Sequence, residues 1–280
     1  MSNDPKRVMV AGATGYIGGG VARALHRHGL WVRGLSRDAK RLADADFCDD
    51  VFVGQATDRQ TIQGLCDGCD VAFSSVGIHS FDRKPTLWEV DYQANMNILE
   101  EAKRAGVKHF VFVSVIKGPE MAALSPIAGA REKVAQAIID SGMNYTIYRP
   151  TGFYNDMQEF LRAVQKKGKI RLFGDGTGII NPISSLDFGD AVAKAINDPS
   201  QSRATGPIGG PETFTHRQVA DLAFEVVGKE PRVGNIPPWQ IGLIATCMRP
   251  FNYNLYSLFK FFEFIARTHD MTGEPVGSCE

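Results

Sequence analysis

The sequence predicts an α/β protein with a doubly wound parallel sheet and a small mixed C-terminal lobe. Three observations lead to this prediction. Short apolar runs alternate with helical patterns, the runs are continuously apolar, and after NYTIYRP (144–150) the alternation gives way to polar loops and short strands. Continuous apolar runs are typical of strands buried on both faces, and intervening helices connect parallel neighbours.

The strands and helices of the sheet are predicted in alternation. The strand-like runs are RVMVAG, WVRGLS, VFVG, VAFSSVG, HFVFVSV and NYTIYRP. The helical patterns are YIGGGVARALHRHG, DAKRLADA, TIQGLCDG, the stretch from Leu87 to Ala105, and AGAREKVAQAII (128–139). From Leu87 onward apolar residues recur every three or four positions, which predicts an amphipathic helix, and Gly106 supplies its C-terminal stop.

The C-terminal lobe is predicted from a looser pattern. IRLFGDGTGIINPIS indicates short strands, and LDFGDAVAKAINDP and THRQVADLAFEVVG indicate helices. We therefore divide the chain into a sheet domain (1–150) and a smaller lobe (151–280). The final stretch, THDMTGEPVGSCE, is polar and is predicted to fray.

Two apolar helical segments follow Pro237, namely WQIGLIATCM and YNLYSLFKFFEFIAR. Pro250 and scattered charges interrupt them, so neither supplies the roughly 18 apolar residues that cross a bilayer. Three alternatives stay open for them: packing in the core or between subunits, a lid over a substrate, and peripheral contact with a membrane.

Composition excludes several classes of function. Lys plus Arg equals Asp plus Glu at 31 each, so no large single-sign field is expected to recruit nucleic acid or an anionic membrane. The start, MSNDPKRVMVAG, lacks the apolar core of a secretory signal, so a cytoplasmic location is expected. Five cysteines form an odd set that favours reduced thiols. CDGC (66–69) is an ordinary loop or a zinc or redox motif, and we predict no metal site. The oligomeric state stays open.

A glycine-rich loop is the most informative motif. In VMVAGATGYIGGGVARAL, glycines at 12, 15 and 18 lie between a predicted strand and a predicted helix. Backbone without a Cβ lets phosphate oxygens approach the amides at the positive end of the helix. This context predicts a dinucleotide site of the Rossmann type.

The chain resembles the short-chain dehydrogenases/reductases in their extended and atypical branch. The resemblance rests on ATGYIG, GQATD (54–58), SSVG (74–77), VDYQANMNILEEAKRAGVKHFVFVSV (90–115) and YTIYRPTGFYNDM (145–157). With FGDG, NPIS and PIGGPE, it is similar to the NmrA-like group and to divinyl chlorophyllide 8-vinyl reductases. Residues 1–150 would then be the NAD(P)-binding domain and 151–280 the substrate-binding lobe.

The resemblance implies a set of cofactor residues. Arg37, after the second strand, would meet a 2′-phosphate, which favours NADP(H) over NAD(H); a solvent-facing Arg37 is the alternative. Gln55 replaces an acidic residue common in the family and still offers a carbonyl to adenine. Pyrophosphate contacts would come from Gly12, Thr14, Gly15, Tyr16, Ile17 and Gly18, and contacts near the nicotinamide from Ser75, Val76, Gly77, Pro150, Thr151 and Phe153.

The catalytic residues depart from the family pattern. The family carries a tyrosine four residues before a lysine, whereas Gly129 precedes Lys133 at that spacing. Lys133 would bind the nicotinamide ribose and, with Tyr154 or a water, protonate a substrate carbon, or it is a solvated surface residue. Ser114 stands where the family keeps its catalytic serine, or it only ends a strand.

We therefore predict an NADP(H)-dependent reductase of an apolar or conjugated small molecule, with hydride transfer to an activated C=C bond. The missing tyrosine motivates an alternative, a non-catalytic NADP(H)-binding redox sensor that acts through a protein partner. Isomerisation of a sugar nucleotide is disfavoured because such relatives keep the tyrosine.

Overall fold

A computed structural model of the chain describes residues 5–78 and 82–277. The strands are β1 (Arg7–Ala11), β2 (Trp31–Ser36), β3 (Asp50–Val53), β4 (Val71–Ser74), β5 (His109–Val113), β6 (Asn144–Pro150), β7 (Ile170–Phe173), β8 (Ile179–Ile180), β9 (Ala204–Gly209), β10 (Phe214–Thr215), β11 (Val233–Ile236), β12 (Asp270–Met271) and β13 (Glu274–Pro275). The helices are α1 (Tyr16–Arg27), α2 (Asn95–Arg104), α3 (Gly118–Met121), α4 (Pro126–Asp140), α5 (Tyr154–Lys167), α6 (Ser185–Asn197), α7 (His216–Val227), α8 (Pro238–Met248) and α9 (Tyr253–Arg267).

The large sheet has the strand order β3-β2-β1-β4-β5-β6-β9-β13, and each neighbouring pair is parallel. This order confirms the predicted doubly wound fold. The direction of winding reverses between β1 and β4, and in such sheets ligands bind beyond the carboxyl ends of the strands at that point.

Both faces of the sheet are buried, as the continuous apolar runs predicted. Along β1, Val8 and Val10 face a cluster that includes α1 and α6, whereas Met9 and Ala11 face a second cluster with α2 and α4. Successive side chains of a strand point to opposite faces, so a strand with helices on both sides has to be apolar throughout.

The C-terminal half contributes to both predicted units. β9 and β13 extend the large sheet, and α6 covers one of its faces together with α1. The remaining short strands form a three-stranded sheet, β10-β8-β12, and a parallel pair, β11-β7. The mixed C-terminal lobe is therefore present, while the boundary at residue 150 stays a prediction.

Two predicted helices are wrong. DAKRLADA and TIQGLCDG contain only the short 3₁₀ turns Ala39–Arg41 and Arg59–Ile62. Each turn begins at an aspartate, Asp38 or Asp58, whose carboxylate accepts the amide proton two residues later at 3.0 Å. Such local bonds compete with an α-helix for the backbone groups.

The helix predicted from Leu87 is confirmed with one difference. Its first part, Trp88–Ala94, is π-helical and passes directly into α2. Gly106 follows with a φ of 73°, the left-handed conformation that ends a helix.

The polar tail does not fray over its described part. β12 joins the small sheet, β13 lies beside β9, and the Val276 amide donates to the Gly209 carbonyl at 2.9 Å. The prediction was wrong because backbone pairing at a sheet edge requires no apolar sequence. Cys279 lies outside the described residues.

The CDGC segment is an ordinary loop with buried thiols. Cys66 and Cys69 are both reduced and pack in the core cluster with α2. Burial raises the pKa of both thiols, which makes them poor nucleophiles and poor metal ligands at neutral pH. Across residues 5–78 and 82–277, none of the helices is both long enough and apolar enough to pass through a bilayer.

Candidate functional site

The glycine loop joins β1 to α1 at the point where the winding of the sheet reverses. Gly12 has a φ of 93°, and its carbonyl accepts the Gly15 amide at 2.8 Å. A Cβ on Gly18 would lie 2.2 Å from the Gly12 carbonyl oxygen. The left-handed turn and this close approach both require glycine. The sequence motif therefore forms the tight turn that it predicted.

The first turn of α1 is open to an anion. Its N-cap is Gly15, which has no side chain to cap the helix, and the first turn contains no acidic residue. As in any α-helix, the first amides have no acceptor within the helix, here those of Tyr16, Ile17 and Gly18. The unpaired amides and the positive end of the helix dipole suit a phosphate group.

Ser75 packs against the loop from the neighbouring strand. It follows β4, its amide donates to the Ala11 carbonyl at 3.2 Å, and a Cβ on Gly12 would lie 2.7 Å from its Oγ. Val76 holds the next position, where its carbonyl accepts the Asn95 side-chain amide at 3.1 Å. The two segments thus form adjacent walls of one crevice.

Arg37 directly follows β2 and is exposed. Within the described residues it forms no hydrogen bond or ion pair, so its guanidinium is available to a ligand. The adjacent carboxylate of Asp38 is engaged by the Lys40 amide at 3.0 Å. Arg33, earlier in β2, is engaged elsewhere, because its Nε donates to Asp50 at 2.6 Å. Arg37 is therefore the basic residue at this carboxyl end.

Gln55 follows β3 in a fixed orientation. Its backbone amide donates to Thr61 Oγ1 at 2.9 Å, and its Nε2 donates to Thr57 Oγ1 at 2.8 Å. The side-chain carbonyl is then the group left to accept a proton from a ligand such as an adenine amino group.

Ser114 is engaged by a carboxylate. It is buried at the end of β5, and its Oγ donates to Glu132 Oε1 at 2.6 Å. Glu132 is also paired with Arg149, whose Nη2 lies 2.7 Å from Oε2. The sequence found Ser114 but missed the Glu132 and Arg149 side chains that orient it.

Lys133 lies on a different face of α4. It is exposed, and its Nζ lies 5.1 Å from the centroid of the Trp88 ring. The structure does not bring it into contact with Ser114. Gly129, four residues earlier, packs against α3, where a Cβ would lie 3.1 Å from the Ala122 carbonyl oxygen. A tyrosine at that position would meet α3.

Arg131 is the cation that the structure places at the centre of the crevice. Its Nη2 lies 2.8 Å from Asp91 Oδ1, and its Nη1 donates to the Val113 carbonyl at 2.9 Å. A Cβ on Gly77 would lie 1.9 Å from Nη2. The guanidinium therefore lies between the carboxyl ends of β4 and β5, against a carboxylate of Asp91 that is fully buried.

The sequence contained a signal for Arg131. On α4 the buried residues Val134, Ala135 and Ile138 lie three, four and seven positions after Arg131. That spacing places Arg131 on the inward face of the helix and Lys133 about 200° around it. The family's tyrosine–lysine spacing predicts Lys133, rather than Arg131, as the residue that binds the nicotinamide ribose.

Residues after β6 close the crevice from the other side. Phe153 is buried and meets the Tyr16 ring edge to face, with centroids 6.0 Å apart. Thr151 Oγ1 donates to the Asn181 carbonyl at 2.7 Å, which fixes the chain just beyond Pro150, the last residue of β6. Tyr154 begins α5 and is exposed. The structure thus brings Phe153 to the glycine loop.

Comparisons with known proteins agree with this geometry. A family described as NAD(P)H-binding matches residues 12–199. A chloroplastic divinyl chlorophyllide a 8-vinyl-reductase of Oryza sativa subsp. indica is 29% identical over 252 residues, which cover 82% of this chain and 61% of that protein. The chain thus spans about three fifths of the length of this relative. An NAD(P)H azoreductase of Xenophilus azovorans is 25% identical over 228 residues, 80% of this chain and 75% of that protein.

The fold has a solved counterpart as well. An NADPH-dependent quinone oxidoreductase of Escherichia coli, crystallised with NADPH, superposes with a TM-score of 0.72 and 18% identity, over 93% of this chain and 89% of that one. At this identity the likeness shows the fold alone. Together the comparisons confirm the resemblance that the sequence motifs predicted.

Proposed function

Since this chain belongs to the NAD(P)H-binding family, we propose that it is an NADP(H)-dependent reductase of an apolar or conjugated small molecule. The observation that carries the proposal is the glycine loop, whose open helix end lies where the winding of the sheet reverses. Relatives named as reductases of a vinyl group and of azo compounds support hydride transfer to an activated double bond.

The nucleotide would lie across the carboxyl edge of the sheet. The pyrophosphate would rest on the loop and first turn of α1, the adenine near Gln55, and the 2′-phosphate on Arg37. A guanidinium pairs well with a phosphate dianion, and the open side chain of Arg37 supports NADP(H) over NAD(H). These assignments are supported by the position of each residue at the end of its strand.

The nicotinamide end would be organised by Arg131. Its guanidinium occupies the gap beside Gly77 and is oriented by Asp91, so it can donate to ribose hydroxyls there. We assign to Arg131 the ribose-binding role that the sequence suggested for Lys133. The dinucleotide supplies the hydride when bound, and the protein supplies orientation and exclusion of water.

Proton delivery would fall to Tyr154 or a water, because Ser114 already donates its one hydroxyl proton to Glu132. Ser114 is held by Glu132 at 2.6 Å, so its hydroxyl has a fixed orientation at the end of β5. Tyr154 lies next to Phe153, which contacts the glycine loop through Tyr16. Reduction of a conjugated double bond places negative charge on carbon, so a positioned hydroxyl or a water suffices as the donor.

Exposed aromatic rings support an apolar substrate. Trp88 and Tyr253 both keep more than a third of their surface exposed. Their sequence neighbours are joined, because the Asn254 side chain accepts the Leu87 amide at 3.0 Å and thereby fixes the start of α9 to the helix before α2. Residues 151–280 would form the substrate-binding lobe, as the sequence predicted.

Turnover tests the proposal directly. NADPH absorbance is followed with a panel of vinyl tetrapyrroles, azo dyes and quinones, using wild-type protein, Arg131→Met and, as the matched control on the same helix, Lys133→Met. We expect oxidation of NADPH with at least one class, loss in the first variant and retention in the second. Tight NADPH binding with no turnover on any class would contradict a reductase and favour the redox sensor.

A further inference from the structure

The outer face of α8 is unusually apolar. Trp239 is 62% exposed, Leu243 58% and Phe251 64%, and Ile244 and Tyr253 are also exposed. These five side chains, which we call the α8 patch, come from α8, the turn that follows it and the first residue of α9, Tyr253. Scattered exposed apolar residues are normal, but a contiguous group of this kind marks an interaction surface.

The attachment of α8 to the protein leaves this face uncovered. Only Ile241 and Ala245 of the helix are buried, and Gly242 lies against Glu263 of α9, where a Cβ would be 2.8 Å from Oε1. A helix that is apolar both inward and outward normally lies inside a core or in a lipid environment. The outward face of α8 carries Trp239, Leu243 and Ile244 beside only two exposed polar residues, Gln240 and Thr246.

The segment that contains the patch carries only basic residues in its sequence, and the carboxylate of Glu263, which lies against Gly242 of α8, is paired with Lys260 and Arg267. From residue 231 to 262 the sequence contains no Asp or Glu, while it contains Arg232, Arg249 and Lys260. Lys260 is paired with Glu263 at 2.7 Å, but Arg232 and Arg249 are exposed. Arg249 lies between Leu243 and Phe251 in sequence, with its guanidinium 5.5 Å from the Tyr256 ring. The patch thus combines apolar side chains with one exposed cation, Arg249.

We propose that the α8 patch docks this protein on the surface of an anionic lipid bilayer. Trp, Phe and Leu on one side of a helix, with arginine beside them, are suited to the boundary between headgroups and acyl chains. Anionic headgroups attract the exposed Arg249, with about 1 kcal/mol per basic residue close to the surface. This attraction is local, because the net charge of the whole protein is zero. α8 would lie in the plane of the interface rather than cross it.

The size of the patch argues against a second copy as its occupant. A stable protein interface takes roughly 20–30 residues on each side. The α8 patch offers five side chains, whereas the bilayer interface accepts the apolar face of a single helix. A lid over the crevice is disfavoured because the patch faces solvent, and the inward face of α8 is already filled by Ile241 and Ala245.

This proposal stands independently of the reductase activity, since the residues that carry it, Trp239, Leu243 and Phe251, are not assigned to the proposed substrate site. It gives the apolar substrate of the proposed reaction a route, because such a molecule partitions into the bilayer on which α8 would rest. Its test therefore measures lipid binding, with NADPH binding as a check that each variant is folded.

The experiment is flotation of the full chain with two kinds of vesicle, pure phosphatidylcholine and a 3:1 mixture of phosphatidylcholine and phosphatidylglycerol. We expect wild-type protein to float with the anionic vesicles and much less with the neutral ones. Leu243→Glu should lower the partition coefficient by about tenfold or more, since a half-exposed leucine contributes about that factor when it is buried. Arg249→Glu should lower binding to anionic vesicles by about tenfold and leave neutral ones unaffected.

Val226→Glu is the matched control, because Val226 is 74% exposed on α7, outside the patch. It should float like the wild type. If Leu243→Glu fails to bind NADPH, Phe251→Glu, in the turn after α8, replaces it. Absence of flotation by folded wild type, or equal loss in Leu243→Glu and Val226→Glu, would overturn the proposal. So would a dimer at micromolar concentration that Leu243→Glu dissociates, because a second copy would then cover the patch.

Discussion

Replacement of Arg131 by methionine tests the assignment of the central cation. The change keeps much of the side-chain volume and removes the guanidinium that lies 2.8 Å from Asp91 and 2.9 Å from the Val113 carbonyl. Asp91 is fully buried, and the Ile78 amide donates to it at 3.1 Å. That amide stays, but the countercharge is lost.

The stability cost follows from this burial. Removing one partner of a buried ion pair costs about 3–5 kcal/mol. Because Arg131 keeps 13% of its side chain exposed, we expect the lower end, about 3 kcal/mol in the free energy of unfolding. Lys133→Met removes only an exposed cation–π contact with Trp88 and should cost about 0.5–1 kcal/mol.

The two substitutions should also differ in their effect on the affinity for NADPH. Loss of hydrogen bonds from a charged donor to the ribose costs about 1.5–3 kcal/mol, or roughly 10- to 150-fold in Kd, for Arg131→Met. Lys133→Met should change Kd less than about fivefold. Urea denaturation measures the free energy of unfolding, and fluorescence titration measures the Kd for NADPH.

A second substitution separates binding from folding. Adding Asp91→Asn to Arg131→Met removes the buried charge that has lost Arg131, so stability should partly recover while the affinity for NADPH stays low. If both recover together, Arg131 is only structural. If Lys133→Met proves as damaging as Arg131→Met in both assays, Arg131 is not the ribose-binding cation, and the role returns to Lys133.

Three further predictions concern the loop, the crevice and the core. Gly18→Ala places a Cβ 2.2 Å from the Gly12 carbonyl oxygen, so NADPH affinity measured by titration should fall about tenfold or more; unchanged affinity would contradict the pyrophosphate site. Gly77→Ala places a Cβ 1.9 Å from Arg131 Nη2 and should reproduce part of the loss of NADPH affinity expected for Arg131→Met. Wild-type affinity for NADPH would show that the guanidinium is not needed there. Burial lowers the pKa of His109 from 6.5 to about 4, so the unfolded chain binds a proton that the native protein does not bind between these values. The full shift corresponds to about 3 kcal/mol, but the His109 ring is partly exposed and solvent screens it, so the free energy of unfolding should fall by roughly 1–2 kcal/mol as pH drops through this window. His109→Gln should flatten that part of the profile in urea titrations, and an unaltered slope would show that another group causes it.

The sheet was predictable because its sequence signals are local and agree with one another. The six strand-like runs correspond to β1 to β6, and the glycine loop lies where the fold and the motif both require it. The two false helices arose because Asp38 and Asp58 redirect the backbone into short turns, an effect that hydrophobic periodicity does not register. β13 could not be predicted, since its pairing with β9 depends on the tertiary fold.

The candidate site was only partly predictable. The loop, Ser75 and Ser114 follow from strand ends and motif context. Arg131 was missed because a family spacing rule was applied to Lys133, although the apolar stripe of α4 places Arg131 inward. The contact between Glu132 and Ser114 could not be predicted from the sequence, because the two residues are 18 positions apart and meet only when α4 packs beside β5. The cytoplasmic location stays a prediction.

Calorimetric titration of the wild-type protein with NADPH and NADH tests the central claim, that the glycine loop holds a dinucleotide whose 2′-phosphate meets Arg37. NADPH should bind at least about tenfold more tightly than NADH, because the additional phosphate gains a charged hydrogen bond. The Arg37→Glu variant should abolish this preference and leave NADH binding nearly unchanged. No heat with either dinucleotide, or equal affinity for both in the wild type, would contradict the account.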